Sequence, residues 1–264
     1  GQMYRICVKG KKLVIVGRDE RATAEAVRIF LRDSIGYFSA LDYTARTEIR
    51  LPISYELTGG SSSMTVRDPR NPKDVVVVTA HAWDYGAVGD GQTDDTKAIQ
   101  RAIDEVNRQG GGTVYLPAGQ YLVKGALKIT RSVYLVGEWE NPDTAPDAMH
   151  KGTVLLATGG RGRTDGAPLM TVGASAGVIG LTVYYPEQSA ALPVAYPPAI
   201  LLQDAFEGKG PQHAASVQNV TIVNACRGIA ADRGCQLPTV REVYLSALDW
   251  GLQVNECYDC ARVT

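Results

Sequence analysis

Apolar residues Ile99, Ala102, Ile103 and Val106 fall at i, i+3, i+4 and i+7, with Gln100, Arg101, Asp104, Glu105 and Arg108 on the opposite side. This period predicts an amphipathic helix with one face to cover. Thr93, Asp94 and Asp95 precede it, where acceptors satisfy the free N–H groups of a first turn and negative charge suits the positive end of the dipole, so they are assigned to capping. Gly110, Gly111 and Gly112 end the helix by permitting left-handed conformations. A strand is then expected over Thr113 to Leu116, a tight turn at Pro117-Ala118-Gly119, and a new extended run from Gln120 to Val123. The helix is expected to plug the open end of a β-stack.

Later segments repeat one pattern. Val217-Gln218-Asn219-Val220-Thr221-Ile222 and Val240-Arg241-Glu242-Val243-Tyr244-Leu245 lie 23 residues apart, and Val178-Ile179-Gly180-Leu181-Thr182-Val183 has the same form earlier. Gly228-Ile229 and Gly251-Leu252 are again 23 apart. A period in the low twenties is that of a solenoid coil. The 39 residues from Val178 to Val217 require inserted loops, expected at 186–198, with four prolines, and at 204–214. Such loops commonly build the binding surface of a solenoid.

Gly89-Asp90-Gly91, Thr93-Asp94-Asp95-Thr96, Ala98-Ile99-Gln100, the three glycines and Val114-Tyr115-Leu116-Pro117-Ala118-Gly119 together resemble the N-terminal signature of the pectate-lyase-like superfamily. That group includes polygalacturonase-type and exo-β-1,3-glucanase-type glycoside hydrolases, polysaccharide lyases and phage tailspikes. The resemblance implies a mainly β fold, a right-handed parallel β-helix with an N-terminal capping helix. It implies a polysaccharide or oligosaccharide partner and leaves the activity open, because the signature marks the cap and not the cleft.

The first 73 residues are expected to form a small α+β domain and linker, and residues 74–264 the N-terminal part of the β-helix. Tyr4 to Val8 and Leu13 to Val16 alternate around Gly10-Lys11-Lys12 as a hairpin would, Ala24, Val27, Phe30 and Leu31 form a helical stripe, and strands are expected near 48–57 and 64–66. Lys12 to Gly17 leading into Ala26 to Leu31 and Ser34-Ile35-Gly36 resembles the accessory domain that precedes catalytic domains in some hexosaminidases and α-glucuronidases; an unrelated α+β module is the alternative. At the other end, Val263 falls about one coil after Val243, and the stack is expected to continue past residue 264.

Composition narrows the function. A formal charge of −1 without a basic cluster gives no footprint for nucleic acid or an anionic membrane, and no run reaches the ~20 apolar residues of a membrane helix. Oligomeric state is left open. A polysaccharide target implies an extracellular or periplasmic location.

Sugar-cleaving enzymes pair a proton donor with a base or nucleophile, so the candidates are carboxylates. With Leu201, Ile229 and Leu252 in one column, Asp204, Asp232 and Asn255 would share another on successive coils. Strands ~4.8 Å apart would then hold two carboxylates near the ~5 to 5.5 Å of a retaining glycosidase. Acids at strand ends also commonly just face water. Glu256 is a further catalytic candidate, with Asp249 and Glu187 as other options. Tyr184, Tyr185, Glu187 and Gln188 combine stacking aromatics with a carboxylate and an amide at a strand exit, which suits a sugar's apolar face and hydroxyls; a surface turn with half-buried tyrosines is the plain reading. No metal or other cofactor is expected. His81, His150 and His213 show no metal spacing. Cys257 and Cys260, with Cys226 and Cys235, lack zinc-ribbon spacing and read as buried thiols. A lyase would need a basic residue and an oxygen cluster for Ca²⁺, and no such cluster is evident. Glycoside hydrolysis is therefore favoured over a lyase and over a non-catalytic glycan-binding or tailspike-like adhesion protein.

Overall fold

The computed structural model describes residues 4–9, 12–18, 23, 26–27, 56–59, 64–66, 75–77, 79–143, 150–203, 215–232, 235, 238–255 and 261–264. The chain divides into two compact units, Gly1–Val78 and Thr79–Thr264.

In the first unit, β1 (Tyr4–Lys9) and β2 (Lys12–Gly17) form the expected hairpin, with Lys9 opposite Lys12, and β3 (Glu56–Gly59) lies antiparallel on the other side of β1. β4 (Met64–Val66) pairs with β5 (Val75–Val77). Thr23, Ala26 and Val27 are helical, and Thr23 Oγ1 accepts the N–H of Gly17 at 3.1 Å. The remainder of the expected helix and the strand from residue 48 to 55 lie outside the described residues.

The second unit opens with β6 (Thr79–His81), β7 (Asp90–Asp94), α1 (Thr96–Arg108), β8 (Gly112–Tyr115), β9 (Gly119–Val123), β10 (Leu127–Ile129) and β11 (Val133–Val136). It continues with β12 (Thr153–Ala157), β13 (Met170–Val172), β14 (Gly177–Tyr184), β15 (Pro198–Gln203), β16 (Ser216–Asp232), β17 (Thr239–Val254) and β18 (Arg262–Val263). All pairings among these strands are parallel, and they sort into three faces. Face A runs β6, β8, β11, the start of β14, the start of β16, the start of β17, then β18. Face B runs β7, β9, β12 and the middle parts of β14, β16 and β17. Face C runs β10, β13, β15 and the ends of β16 and β17. This is a parallel β-helix, and β16 and β17 each pass along all three faces, β16 pairing with β14 through Val223 and with β15 from Arg227.

Alternation along each strand sends every second side chain inward. Val114, Leu135, Val178, Val217 and Val240 stand in one register column of face A and are all buried. Tyr121, Leu155, Val183 and Ile222 make the matching column of face B, and Leu127, Met170, Ile200 and Ile229 that of face C. The 23-residue coil holds to the end: Val240 pairs with Val263, which places Val263 one coil after Val240 rather than after Val243.

The turns between faces are also in register. Ser132 and Ser175, at φ of 61° and 52°, bend face C into face A on successive coils, and Gly111, at 110°, stands in the same register between α1 and β8. Gly180, Asn219 and Glu242, at 72°, 52° and 53°, bend face A into face B. A left-handed residue reverses the pleat for one step and so redirects the chain without breaking the inward column. Glycine and asparagine adopt it readily, whereas for another L-residue it costs roughly 1–2 kcal/mol.

Helix α1 buries Ala98, Ile99, Ala102, Ile103 and Val106 and packs against β6, β8, β10 and β11, the first strands of faces A and C. Its approach meets the expected capping at Asp94 and departs from it at Thr93 and Asp95. The Asp94 carboxylate accepts the N–H and hydroxyl of Thr96 at 3.1 and 2.5 Å, while Thr93 bonds to Asp90. Asp95 is fully buried and points back, accepting the N–H groups of Val88 and Gly89 at 2.7 and 3.1 Å. These two loop donors hold it there, so its side chain staples the entry loop instead of the helix.

Two outcomes are expected. Glu242→Asn should raise unfolding free energy by about 1 kcal/mol, read by urea denaturation, because asparagine tolerates the left-handed corner. Burial is the largest influence on Asp95 and raises its pKa, partly offset by the two N–H groups. The folded state therefore holds this proton more tightly than the unfolded chain. The residue's contribution is greatest at low pH and declines as pH rises from ~3.9 through the folded pKa. Asp95→Asn should remove that decline, so wild type loses stability relative to the variant as pH is raised across this window.

Candidate functional site

Outward positions on face B form the column Gln120, Val154, Thr182, Thr221, Tyr244. Val154, Thr182 and Thr221 face away from the core and are nonetheless buried. Part of the cover is the segment that leaves β11, residues 137–143. The indole Nε1 of Trp139 donates to Thr221 Oγ1 at 2.8 Å. Its ring lies 5.9 Å from that of Tyr244, with the planes tilted by 39°. The Tyr244 hydroxyl donates to Asp143 Oδ2 at 2.5 Å, and Asn141 and Glu242 also act on it. Further along, His150 meets the ring of Tyr184 edge-on at 5.9 Å.

The strap is rooted firmly. Glu138 N–H donates to Thr153 Oγ1 at 2.8 Å, the Thr153 hydroxyl donates to Leu116 O at 2.7 Å, and the Glu138 carboxylate accepts the Tyr115 hydroxyl and the Ala118 N–H. Trp139 follows directly and is thereby aimed across three coils. Hydrogen bonding to Asp143, ahead of burial, raises the Tyr244 pKa and keeps its phenol protonated. Tilted aromatic faces beside two carboxylates and an amide offer stacking for an apolar ligand face, and acceptors for hydroxyls or protons.

The residues Tyr184, Tyr185, Glu187 and Gln188 diverge. Tyr184 lies outward on face B and Glu187 is half exposed, 3.3 Å from Arg161 Nε. Tyr185 is buried edge-on to Tyr196, with ring centroids 5.0 Å apart, and burial pushes its pKa far up. Gln188 is buried too. Its amide donates to Val194 O at 2.8 Å and accepts the N–H of Val194 at 2.7 Å, so it closes its own loop.

The carboxylate column needs a correction. Ile200, not Leu201, pairs with Ile229 and Leu252, so Gln203 rather than Asp204 stands beside Asp232. Ile200 and Leu202 are the buried, inward pair and Leu201 turns out, which sets the register. On the far side, the N–H of Asn255 donates to Ala231 O at 2.8 Å, keeping Asn255 next to Asp232. Asp232 thus has amides as its in-register neighbours on face C, away from the aromatic strap. Asp204 and Glu256 lie outside the described residues. Asp249 pairs with Arg227 Nε at 3.0 Å, and that guanidinium sits 5.9 Å over Trp250.

His81 is buried against Trp83 and Tyr115, and His213 lies outside the described residues. Cys226 and Cys235 are buried. Among the described residues no group of three His, Cys, Asp or Glu could hold a metal ion, and no helix is long and apolar enough to cross a membrane. Trp139, Asn141 and Asp143 were not singled out from sequence, since their partners are as much as 82 to 101 residues away.

Residues 80–174 match the family model for rhamnogalacturonase A/epimerase, pectate lyase-like. Over 61 residues, 20% of the chain, the sequence is 57% identical to alginate lyase 7 of Azotobacter vinelandii and to the mannuronan C5-epimerase AlgE3 of that organism. The chain spans only 7% and 3% of the length of those two relatives. A candidate glycosyl hydrolase from Parabacteroides merdae superposes with a TM-score of 0.51 at 19% identity, covering 68% of this chain and 80% of that one, a likeness of fold.

The site leads to one spectroscopic expectation. Asp143→Asn should bring the Tyr244 pKa down toward the usual tyrosine value near ~10, followed by NMR of ring-labelled tyrosine; an unmoved Tyr244 titration would detach Asp143 from this hydroxyl.

Proposed function

We propose that this chain, whose residues 80–174 form a pectate lyase-like domain, acts on a polysaccharide by glycoside hydrolysis, with the glycan lying on the outer side of face B. The supporting observation is the tilted Trp139–Tyr244 pair with Asp143 bonded to it, in the field of the Glu242 carboxylate. Sugar rings expose C–H faces that stack on aromatics, and their hydroxyls bond to carboxylates. Hydrolysis needs one carboxyl to protonate the departing oxygen and another to activate water or attack the sugar. Asp143 and Glu242 fill these roles at the aromatic surface, while Asp232, on face C, and the sequence candidates Asp204 and Glu256 form the rival set.

Two other readings stand against this one. Identity to an alginate lyase and to an epimerase over 61 residues favours abstraction of a proton from the sugar, and non-catalytic glycan binding or tailspike-like adhesion needs no acid–base pair at all. Elimination yields an unsaturated, ultraviolet-absorbing product and hydrolysis does not. A polysaccharide substrate puts the protein in an extracellular or periplasmic setting.

Reducing-end release from a polysaccharide panel, without unsaturated product, is the expected result. Asp143→Asn and Glu242→Gln should each abolish it with the fold intact, and Trp139→Ala should lower kcat/KM about 30-fold, the scale of a lost aromatic anchor of ~2 kcal/mol. If Asp232→Asn is inactive and both strap-side variants keep full rate, the chemistry belongs to face C.

A further inference from the structure

Two excursions leave face B for face C on consecutive coils, residues 158–169 and 186–197, and they meet at the corner. Gly162 N–H donates to Ala195 O at 2.8 Å, and a Cβ on Gly160 would come within 2.9 Å of Pro197. Gly160 and Gly162 hold φ of 77° and 84°, so the chain turns tightly on either side of Arg161. That side chain is half exposed and reaches Glu187, also half exposed, at 3.3 Å. The position of Glu187 is set in turn by the buried Gln188 amide that closes residues 188–194.

Behind this ion pair stands Tyr196. It is fully buried, its ring held edge-on by Tyr185, and its hydroxyl has no hydrogen-bond partner among the described residues. Glu187 and Arg161 are the charged groups whose fields act on its hydroxyl. A buried hydroxyl left unpaired is destabilising, and phenylalanine would pack there without that penalty. Donor, acceptor and a further buried hydroxyl therefore converge on one point of the corner.

We propose that this corner is a subsite for a neutral sugar residue, in which Arg161 and the Tyr196 hydroxyl donate to adjacent ring hydroxyls and Glu187 accepts from them. Opposite charges 3.3 Å apart select the ligand. An anionic group gains from Arg161 and is repelled by Glu187 at nearly the same distance; a cation meets the reverse. A pair of neighbouring hydroxyls supplies a donor and an acceptor to match both arms. The proposal rests on the polysaccharide reading above and adds a specificity to it.

The test is calorimetric titration of the whole chain with neutral gluco-, manno- and galacto-oligosaccharides, and with oligogalacturonate and oligomannuronate as acidic counterparts. Neutral oligosaccharide should bind, and Tyr196→Phe and Arg161→Ala should each weaken it about 10-fold, the scale of one lost bond to a sugar hydroxyl. Tyr196→Phe should meanwhile melt at the wild-type temperature or above, which a purely structural hydroxyl would also do but without changing affinity. Unchanged affinity in both variants, or binding of acidic oligosaccharides alone, overturns the subsite and leaves the polysaccharide reading standing. Failure of every glycan to bind overturns both.

Discussion

Parallel registration of inward side chains is the constraint on which the second unit depends. Each buried valine or leucine must lie over another one strand spacing away, ~4.8 Å, because a slip of one residue would turn a whole inner column to solvent. The long strand β16 shows how strict this is. It keeps Val217, Ile222 and Ile229 buried while serving three faces in turn. Left-handed corner residues make that possible: they change the direction of the chain and shift the pleat by one residue, so that Leu181 and Val220 point inward again after the corner, and they too are stacked, Gly180 over Asn219 over Glu242.

Once the interior is fixed in this way, outward positions become a regular lattice, and chemistry enters through the excursions laid upon it. The strap at residues 137–143 uses Thr221 as an anchor for Trp139 and Tyr244 as an anchor for Asp143. Local order at its root, through Glu138 and Thr153, converts into a defined position three coils away. The corner excursions do the same with Gln188 and the Gly162–Ala195 bond. Face B is thus furnished from both sides by segments that the core does not need.

The helix, the turn glycines and the 23-residue coil were legible because each is a local or strictly periodic signal. What failed was parity within short apolar runs. Ala199 to Leu202 is apolar at every position, so alternation could not show that Ile200 rather than Leu201 faces in, and the carboxylate column inherited that one-residue error. Tyr184 and Tyr185 are alike in composition, yet the pleat turns one outward and buries the other. Asp95 was read as a cap because its place before the helix suits one, whereas the open N–H groups of Val88 and Gly89 took its carboxylate. The strap lay beyond reach altogether: nothing local in Trp139 announces Thr221.

Glu242 joins these strands of reasoning. In the coils before it the same corner is filled by glycine and asparagine, the residues that enter the left-handed region at least cost. A glutamate there gives up on the order of 1 kcal/mol and gains only a loose exposed pairing with Arg241 at 4.0 Å. Its backbone N–H still closes a normal bond to Thr264 O at 3.1 Å, so the corner itself is intact. Among the described residues the side chain gains no closer partner, and its negative charge acts on the Tyr244 hydroxyl that Asp143 holds. A residue that costs stability at a position where cheaper ones serve, and that adds a carboxylate to an aromatic surface, is placed for chemistry on a ligand rather than for the stack.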